Sequence, residues 1–513
     1  MAHPLFRPAR YSLIVLQLFI GLLVLRSPSF LAELIDPDEA HFLVMGRMLT
    51  QGAIPYVDVV DKKPLLTYLF YSPAGYFGFS MVPMKIIGLL WALGTCLILY
   101  RAAEGWTGRK DTGFVAAWLY ASVSSCNNLA IHAELMMNLP VALALLFFIR
   151  ARREGRRLDD FWCGLSIGIA TLFRHQAGIV LVALLPAVLW TCYSQRESLA
   201  RSLGRCAALA IGVSIPWLAV VVLYARLGHL AEFYDWNIAR NFFYVMGTSS
   251  SGSLVRLGRG ILLYVVLAAP LPWLFSFIEG TRLWEPVRVG LLLSLLLTWI
   301  PVSMSGRFYS QYFVQFAVPL ALLAAPLLES NFARWSQLRR ARKVVLLGGL
   351  IAPLIFYLGY GVGRRVWEVL PYPSRDPRAV AIGLWVRENS QPGDTLFVWG
   401  YIPPVYQMSQ RLPGTRYVTT AVHLGDIEPS HIGSDFNPAR FLSARDISAT
   451  LSDLERNRPL LVIDTAPTDL TRFSPFPLRV VPTLFDYILA HYDLLSVTPA
   501  GAHVYRLKTR PAS

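Results

Sequence analysis

Apolar residues in this chain gather in long unbroken runs, with little of the alternation of a half-buried strand or the regular polar face of a soluble helix. The first is "YSLIVLQLFIGLLVL" from Tyr11, and others follow at about 82–100, 112–128, 134–150, 160–174, 176–193, 205–225, 259–278, 287–303, 312–328 and 344–362. Each approaches the roughly 20 residues that a helix needs to cross about 30 Å of hydrocarbon. Counted with the first run, at about 11–29, the pattern predicts about eleven transmembrane helices. Residues after the first run offer no small-x-small cleavage site, so that run reads as a retained signal anchor.

Between the runs sit short basic clusters: "RAAEGWTGRK", "RARREGRR", "RESLARSLGR" and "RWSQLRRARK". Taken as cytoplasmic loops, they place the N-terminus inside. The outer side then receives residues 30–81, "NNLAIHAE", "FRHQ", the loop 226–258, "SMSGRFYSQ" and everything after Arg364. This predicts a multi-pass protein of a bacterial cytoplasmic membrane with its C-terminal domain outside.

Residues 37–80 are apolar but interrupted by Gly52, Pro55, Pro64 and Pro73 and by Asp58, Asp61, Lys62 and Lys63. Such a segment does not cross. It predicts two helices lying along the outer face, about 37–51 and 64–79, the first with Phe42, Met45 and Leu49 recurring on one side. After "PYPSRDP" helix and strand signals alternate: "TLFVWG", "LLVIDT" and "YDLLSVTPAGAHVYRLK" read as strands, separated by helical stretches. A soluble α/β domain is expected over 375–513, after a membrane domain over 1–364.

Composition agrees. Of 513 residues, 55% are hydrophobic and 15% charged, against roughly 45–50% and 25% in soluble domains. The net charge of +15 would suit nucleic acid, but its distribution in loop clusters points to membrane orientation, and no nucleic-acid partner is expected. The five cysteines lie in or beside apolar runs without paired spacing, which predicts neither a disulfide framework nor a Cys-based zinc site.

Candidate chemistry begins in "LAELIDPDEAHFLVMGRML". Asp36 fits a helix N-cap, Pro37 the first helical position and Glu39 the closing residue of a capping box. Asp38 is left without a local bond that requires it. The same face collects Lys62, Lys63, His132, Glu134, Arg174, His175 and Arg307, and ionisable groups near membrane depth are functional candidates by default. Singly, Lys63 and Arg307 could anchor lipid headgroups. Together, carboxylates facing cations at a membrane surface suit a substrate with a hydroxyl and a phosphate. A carboxylate would take the acceptor proton, and Arg and Lys would steady the departing phosphate.

The order "DPDEAHF", "GAIPYVDVVDKKPLLTYL", "HAELMMNLP", "LFRHQAGIVL" and "GRFYSQYFVQFAVPLALLA" resembles the bacterial branch of the dolichyl-phosphate-mannose protein mannosyltransferase superfamily. That group has the GT-C fold and includes the lipid A aminoarabinose transferases. The likeness covers about residues 10–330 and is strongest from Asp36 to Tyr68. It implies a polytopic α-helical membrane protein of GT-C type, to which the strand and helix signals after residue 375 add the C-terminal soluble α/β domain. It implies a catalytic base at Asp38 with Glu39 beside it, and donor-phosphate contacts at Lys63, Arg174 and Arg307. Glu134, His175 and Tyr312 are implied to bind substrate. Where many relatives read His-Tyr, this chain has Gln311-Tyr312. Metal use varies in the family, so the cofactor expectation is none or a divalent cation, with no metal ligand identified.

The function expected is transfer of a hexosyl or pentosyl group from a polyprenyl-phosphate sugar to a lipid, glycan or protein acceptor among the membrane lipids of the outer face, with inversion. Two alternatives remain. A polysaccharide ligase of related fold would use the loop with His229, Asp235, Arg240 and Tyr244. A lipid-linked sugar flippase would place charges within several spans and show paired broken helices.

Overall fold

The computed structural model describes residues 11–242, 252–278, 285–360, 362, 376–424 and 442–508. The helices of the first half are α1 (Tyr11–Arg26), α2 (Pro37–Thr50), α3 (Leu65–Gly75), α4 (Val82–Thr107), α5 (Lys110–Asn127), α6 (Ala133–Arg153), α7 (Leu158–Phe173), α8 (Ile179–Ser194) and α9 (Leu199–Leu227). The chain divides into two compact units, one of residues 1–31, 85–226 and 252–367, the other of 32–84, 227–251 and 368–513.

The first unit is helical. Among the described residues, eight helices are long and apolar enough to cross a membrane: Tyr11–Leu31, α4, α6, His175–Ser194, α9, Pro286–Ser303, Ser310–Ala333 and Arg340–Tyr360. A ninth candidate is the pair Ser253–Leu267 and Pro270–Ile278, bent by 84°, where Pro270 cannot continue a straight hydrogen-bond ladder. The two other expected crossings, near 112–128 and 160–174, are present as α5 and α7. The first carries Lys110, Asp111 and several serines, and the second is 16 residues long, so neither has the length and hydropathy of a span by itself. The structure thus describes a multi-pass membrane protein.

Two devices tighten this unit. Helices α7 and α9 meet through glycines: a Cβ on Gly164 would lie 2.1 Å from the Leu209 carbonyl oxygen, and one on Gly212 2.3 Å from that of Phe161. In a bilayer such close backbone approach supplies the packing that hydrophobicity cannot. At one end of the same helices, buried Asp160 pairs with Arg152 and, at 2.8 Å, with Arg205, which also binds Glu197 at 2.9 Å. Several arginines of the basic clusters are therefore structural ion-pair partners as well as orientation signals.

The second unit contains the C-terminal α/β segment, a five-stranded sheet of order β2-β1-β3-β5-β4. Its strands are β1 (Thr395–Trp399), β2 (Leu412–Pro413), β3 (Leu461–Asp464), β4 (Tyr492–Val497) and β5 (His503–Leu507). Strand β1 pairs parallel with β2 and β3, while β5 runs antiparallel to β3 and β4. Phe397, Trp399, Leu454, Val462, Phe473, Leu484 and Ile488 are fully buried in its core.

Residues 32–84 belong to this unit, although composition assigns them to the membrane part. Val60 bridges to Tyr417, and the Val60 N–H donates to the Arg416 carbonyl at 3.0 Å. The Gln407 amide donates to the Phe79 carbonyl at 3.0 Å, and Glu33 accepts from the Met81 N–H at 2.7 Å. The two short helices expected here are α2 and α3, of 14 and 11 residues. They form a hairpin with backbones in contact. A Cβ on Gly46 would sit 2.8 Å from the Tyr71 carbonyl, one on Gly75 2.8 Å from Arg47 Cα, and the Arg47 guanidinium donates to the Gly75 carbonyl at 2.7 Å.

Gly46→Ala should therefore loosen the hairpin, since overpacking against backbone costs about 1–3 kcal/mol and exceeds the gain of up to about 1 kcal/mol in helix propensity. Gly105→Ala, where a Cβ meets nothing within 4 Å, should be neutral or stabilising. Hydrogen exchange of residues 37–75 checks this, with faster exchange expected in Gly46→Ala alone. Unchanged exchange would contradict the tight crossing.

Candidate functional site

In the second unit, the start of α2 is set by its sequence. Asp36 holds extended backbone (φ −145°, ψ 142°), accepts the Asp38 N–H at 3.1 Å, and is followed by Pro37 at the first helical position. The Glu39 carboxylate accepts from the Asp36 N–H at 3.2 Å and the Ile35 N–H at 2.8 Å, closing a capping box while almost completely buried. Both bonds go to the same carboxylate oxygen, Oε2, at the helix start. Of the pair Asp38 and Glu39, geometry thus leaves Asp38 turned toward another residue.

That residue is Lys63. Its ammonium lies 3.7 Å from Asp38 Oδ2, 3.9 Å from Asp61 Oδ2 and 4.5 Å above the Phe42 ring centre. Two carboxylates and one ammonium leave a net charge of −1, and the side chains of the three are a sixth to a quarter exposed. Asp61 accepts from the Tyr68 hydroxyl at 3.0 Å, and the Tyr68 hydroxyl oxygen in turn accepts the Lys63 N–H at 2.9 Å. Burial works to raise the Asp61 pKa, but Lys63, then His41 and Lys62, overcome it and lower it to about 2. Burial lowers the pKa of His41, so at neutral pH its contact with Asp61 at 3.6 Å is one between a neutral ring and a carboxylate, too long for a hydrogen bond. Burial and then Asp61 push the Tyr68 hydroxyl well above its ordinary value, which keeps it a donor.

Asp61, His41 and Tyr68 were not singled out by sequence. In "VDKKP" the resemblance marks Lys63 but not Asp61, and nothing in "PLLTYL" marks Tyr68 as the residue that turns back to bind both Asp61 and the backbone of Lys63. The carboxylate oxygens of Asp36 and Asp38 lie within 4.8 Å of one another.

The first unit brings together another part of the predicted set. Arg174 ends α7 with extended backbone (φ −156°). Its guanidinium lies 3.1 Å from the buried carboxylate of Glu134, donates to Gln176 at 2.6 Å and stands 5.1 Å above the Tyr312 ring centre. Glu134, in the first turn of α6, is favoured there by the helix dipole. His175 goes elsewhere and stacks on Trp217 at 5.7 Å. Arg307 is buried between two left-handed residues, Gly306 (φ 58°) and Phe308 (φ 51°). The following turn of 3-10 helix, Ser310–Phe316, is buried as well. Asn127 donates to the Phe313 carbonyl, Asn138 to that of Val314 and Asn128 to the Ser310 hydroxyl. Irregular backbone in a membrane domain requires such partners.

The dolichyl-phosphate-mannose-protein mannosyltransferase family model matches residues 61–223, a segment with Asp61, Lys63, Glu134 and Arg174. Comparison with curated proteins finds no match. Among solved structures, the chain is similar to ArnT from Cupriavidus metallidurans bound to undecaprenyl phosphate, at 16% identity over 97% of this chain and 98% of that one, with a TM-score of 0.61. It is also similar to the archaeal oligosaccharyltransferase AglB from Archaeoglobus fulgidus in complex with an inhibitory peptide and a dolichol-phosphate, at 13% identity over 97% and 74% of the two chains, TM-score 0.53. A third likeness is to the arabinofuranosyltransferase AftD from Mycobacteria, at 11% identity over 98% and 40%, TM-score 0.51. The family model matches this segment alone, and the structural likeness gives the chain the GT-C fold along nearly its whole length.

Proposed function

We propose that the protein is a glycosyltransferase that moves a sugar from a polyprenyl-phosphate donor to a lipid, glycan or protein acceptor at the outer face of the cytoplasmic membrane. The observation that carries this reading is the division of labour in "DPDE". Asp36 and Glu39 build the helix start, while the Asp38 carboxylate faces an ammonium group 3.7 Å away. The family match over 61–223 supports the same class of reaction, as does the fold shared with an enzyme solved with undecaprenyl phosphate.

In this reading Asp38 takes the proton from the acceptor hydroxyl as its oxygen attacks the anomeric carbon. The bond from that carbon to the phosphate oxygen breaks, and polyprenyl phosphate leaves with the bonding electrons. A single displacement inverts the anomeric centre. Phosphate is a good leaving group at neutral pH, so the cations are needed for charge stabilisation more than for protonation. Lys63, Arg174 and Arg307 are assigned to the donor phosphate, and Glu134, His175 and Tyr312 to binding the substrates. Lys63 has three rotatable donors and can keep a carboxylate partner while meeting a phosphate oxygen.

Asp38→Asn should lower single-turnover transfer by about a hundredfold or more with donor binding retained, since general-base contributions run roughly 10² to 10⁴. Asp36→Asn keeps the cap, because Asn caps about as well as Asp, and serves as the folding control. A transfer rate for well-folded Asp38→Asn within about threefold of the unmodified protein would sink the assignment.

For the cations, Lys63→Ala and Arg307→Ala should each weaken donor binding by roughly tenfold or more, the loss of a charge-assisted hydrogen bond. Arg174 also neutralises buried Glu134, and its removal alone would strand a charge. Arg174→Gln is therefore best measured together with Glu134→Gln. Unchanged donor affinity in all of these variants would reduce the cations to structural and headgroup partners.

A further inference from the structure

Lys63 is held by its backbone as well as by its side chain. On one side its N–H donates to the Tyr68 hydroxyl at 2.9 Å, and on the other its carbonyl accepts from the Tyr56 hydroxyl at 2.8 Å. Tyr56 is fully buried and has left-handed backbone, φ 67°, a conformation that a bulky side chain adopts only where surrounding contacts fix it. Its ring is clasped edge-on by Tyr68 and Phe233, at 6.1 and 5.7 Å between centres.

What fixes it comes from a distant part of the sequence within the same unit. Asn237 is completely buried and donates to the Tyr56 hydroxyl at 2.8 Å. One turn later, Asn241 donates to the Lys62 carbonyl at 2.9 Å. Both lie on or just beyond a π-helical turn, Asp235–Ala239, a local widening that recurs at functional positions. The turn is itself anchored: Arg240 binds Asp446 through two parallel bonds of 2.9 and 3.0 Å, and Asp235 at 3.1 Å. Asp446 also accepts from the Tyr417 hydroxyl at 3.0 Å. A bidentate pair of this kind fixes orientation as well as distance.

We propose that Tyr56 is a positioning residue for Lys63, held to that task by Asn237 and backed by the anchored turn around Arg240. Loss of the Tyr56 hydroxyl frees the Lys63 carbonyl, and the ammonium group no longer stays between Asp38 and Asp61. The functional consequence rests on the assignment of Lys63 to the donor phosphate, whereas the positioning itself does not.

The test uses the full chain in lipid discs with two readouts, for Tyr56→Phe and, as a second route to the same loss, Asn237→Ala. The first is the rate at which an amine-reactive reagent labels Lys63, read by mass spectrometry against Lys110 and Lys343 in the same molecule. The second is affinity for undecaprenyl phosphate, measured with Lys63 present and in a Lys63→Ala background. Labelling of Lys63 alone should rise two- to tenfold, the range set by one net hydrogen bond. Affinity should fall by a similar factor with Lys63 present and by nothing further in Lys63→Ala. Unchanged labelling in both folded variants overturns the proposal, as does a loss of affinity that persists undiminished without Lys63. If labelling responds but Lys63→Ala leaves affinity unchanged, the positioning stands and the phosphate assignment fails.

Discussion

One lysine shared by two carboxylates organises the second unit of this protein. Lys63 between Asp38 and Asp61 is a partly buried ion triple, and removal of the lysine alone would leave two carboxylates without the cation between them. The loop around it satisfies both backbone groups of Lys63 with tyrosine hydroxyls, starts α2 with a capping box and presses Phe42 against the ammonium group. The folded pKa of Asp61, about 2, lies below its ordinary 3.8. Its contribution to stability is therefore present above the ordinary value and is lost as pH falls through about 2. At neutral pH Asp61 is ionised and stands 3.9 Å from the Lys63 ammonium group.

The first unit solves a different problem with the same physics. Its helices must satisfy every polar group internally, yet the chain breaks regular structure at Arg174 and again from Gly306 to Phe316. Asn127, Asn128 and Asn138 supply the hydrogen bonds that the second break lacks, and the Glu134 carboxylate balances Arg174. A buried Arg and Glu pair is expensive to assemble and gains little net stability.

Much of this was legible in the chain because local rules governed it. Eight of the eleven apolar runs lie on helices long and apolar enough to cross, since hydrocarbon leaves a backbone few alternatives, and "DPDE" became the capping box its spacing predicts. Strands at "TLFVW", "LVID" and "HVYRL" followed β-branched and aromatic runs. What escaped the sequence depends on contacts between distant segments. The α/β segment packs with residues 32–84 through Val60, Gln407 and Glu33, and nothing in those residues' own neighbourhoods marks them for pairing. Asp61 gains importance only because α2 returns Asp38 to within reach of Lys63, and Asn237 only because its turn reaches Tyr56. Glu39 reads both as a cap and as a companion to the base, and its Oε2 accepts two backbone N–H groups at the start of α2.

The most direct test of glycosyl transfer from a polyprenyl-phosphate donor is to follow the lipid product itself. The full chain in lipid discs is incubated with a panel of polyprenyl-phosphate sugars and membrane-extracted acceptors, and the released prenyl lipid is identified by mass spectrometry. The proposed reaction predicts polyprenyl phosphate released in step with a glycosylated acceptor of inverted anomeric configuration. Movement of the intact donor across the bilayer without cleavage, or reaction only with diphosphate-linked donors and release of polyprenyl diphosphate, would contradict it.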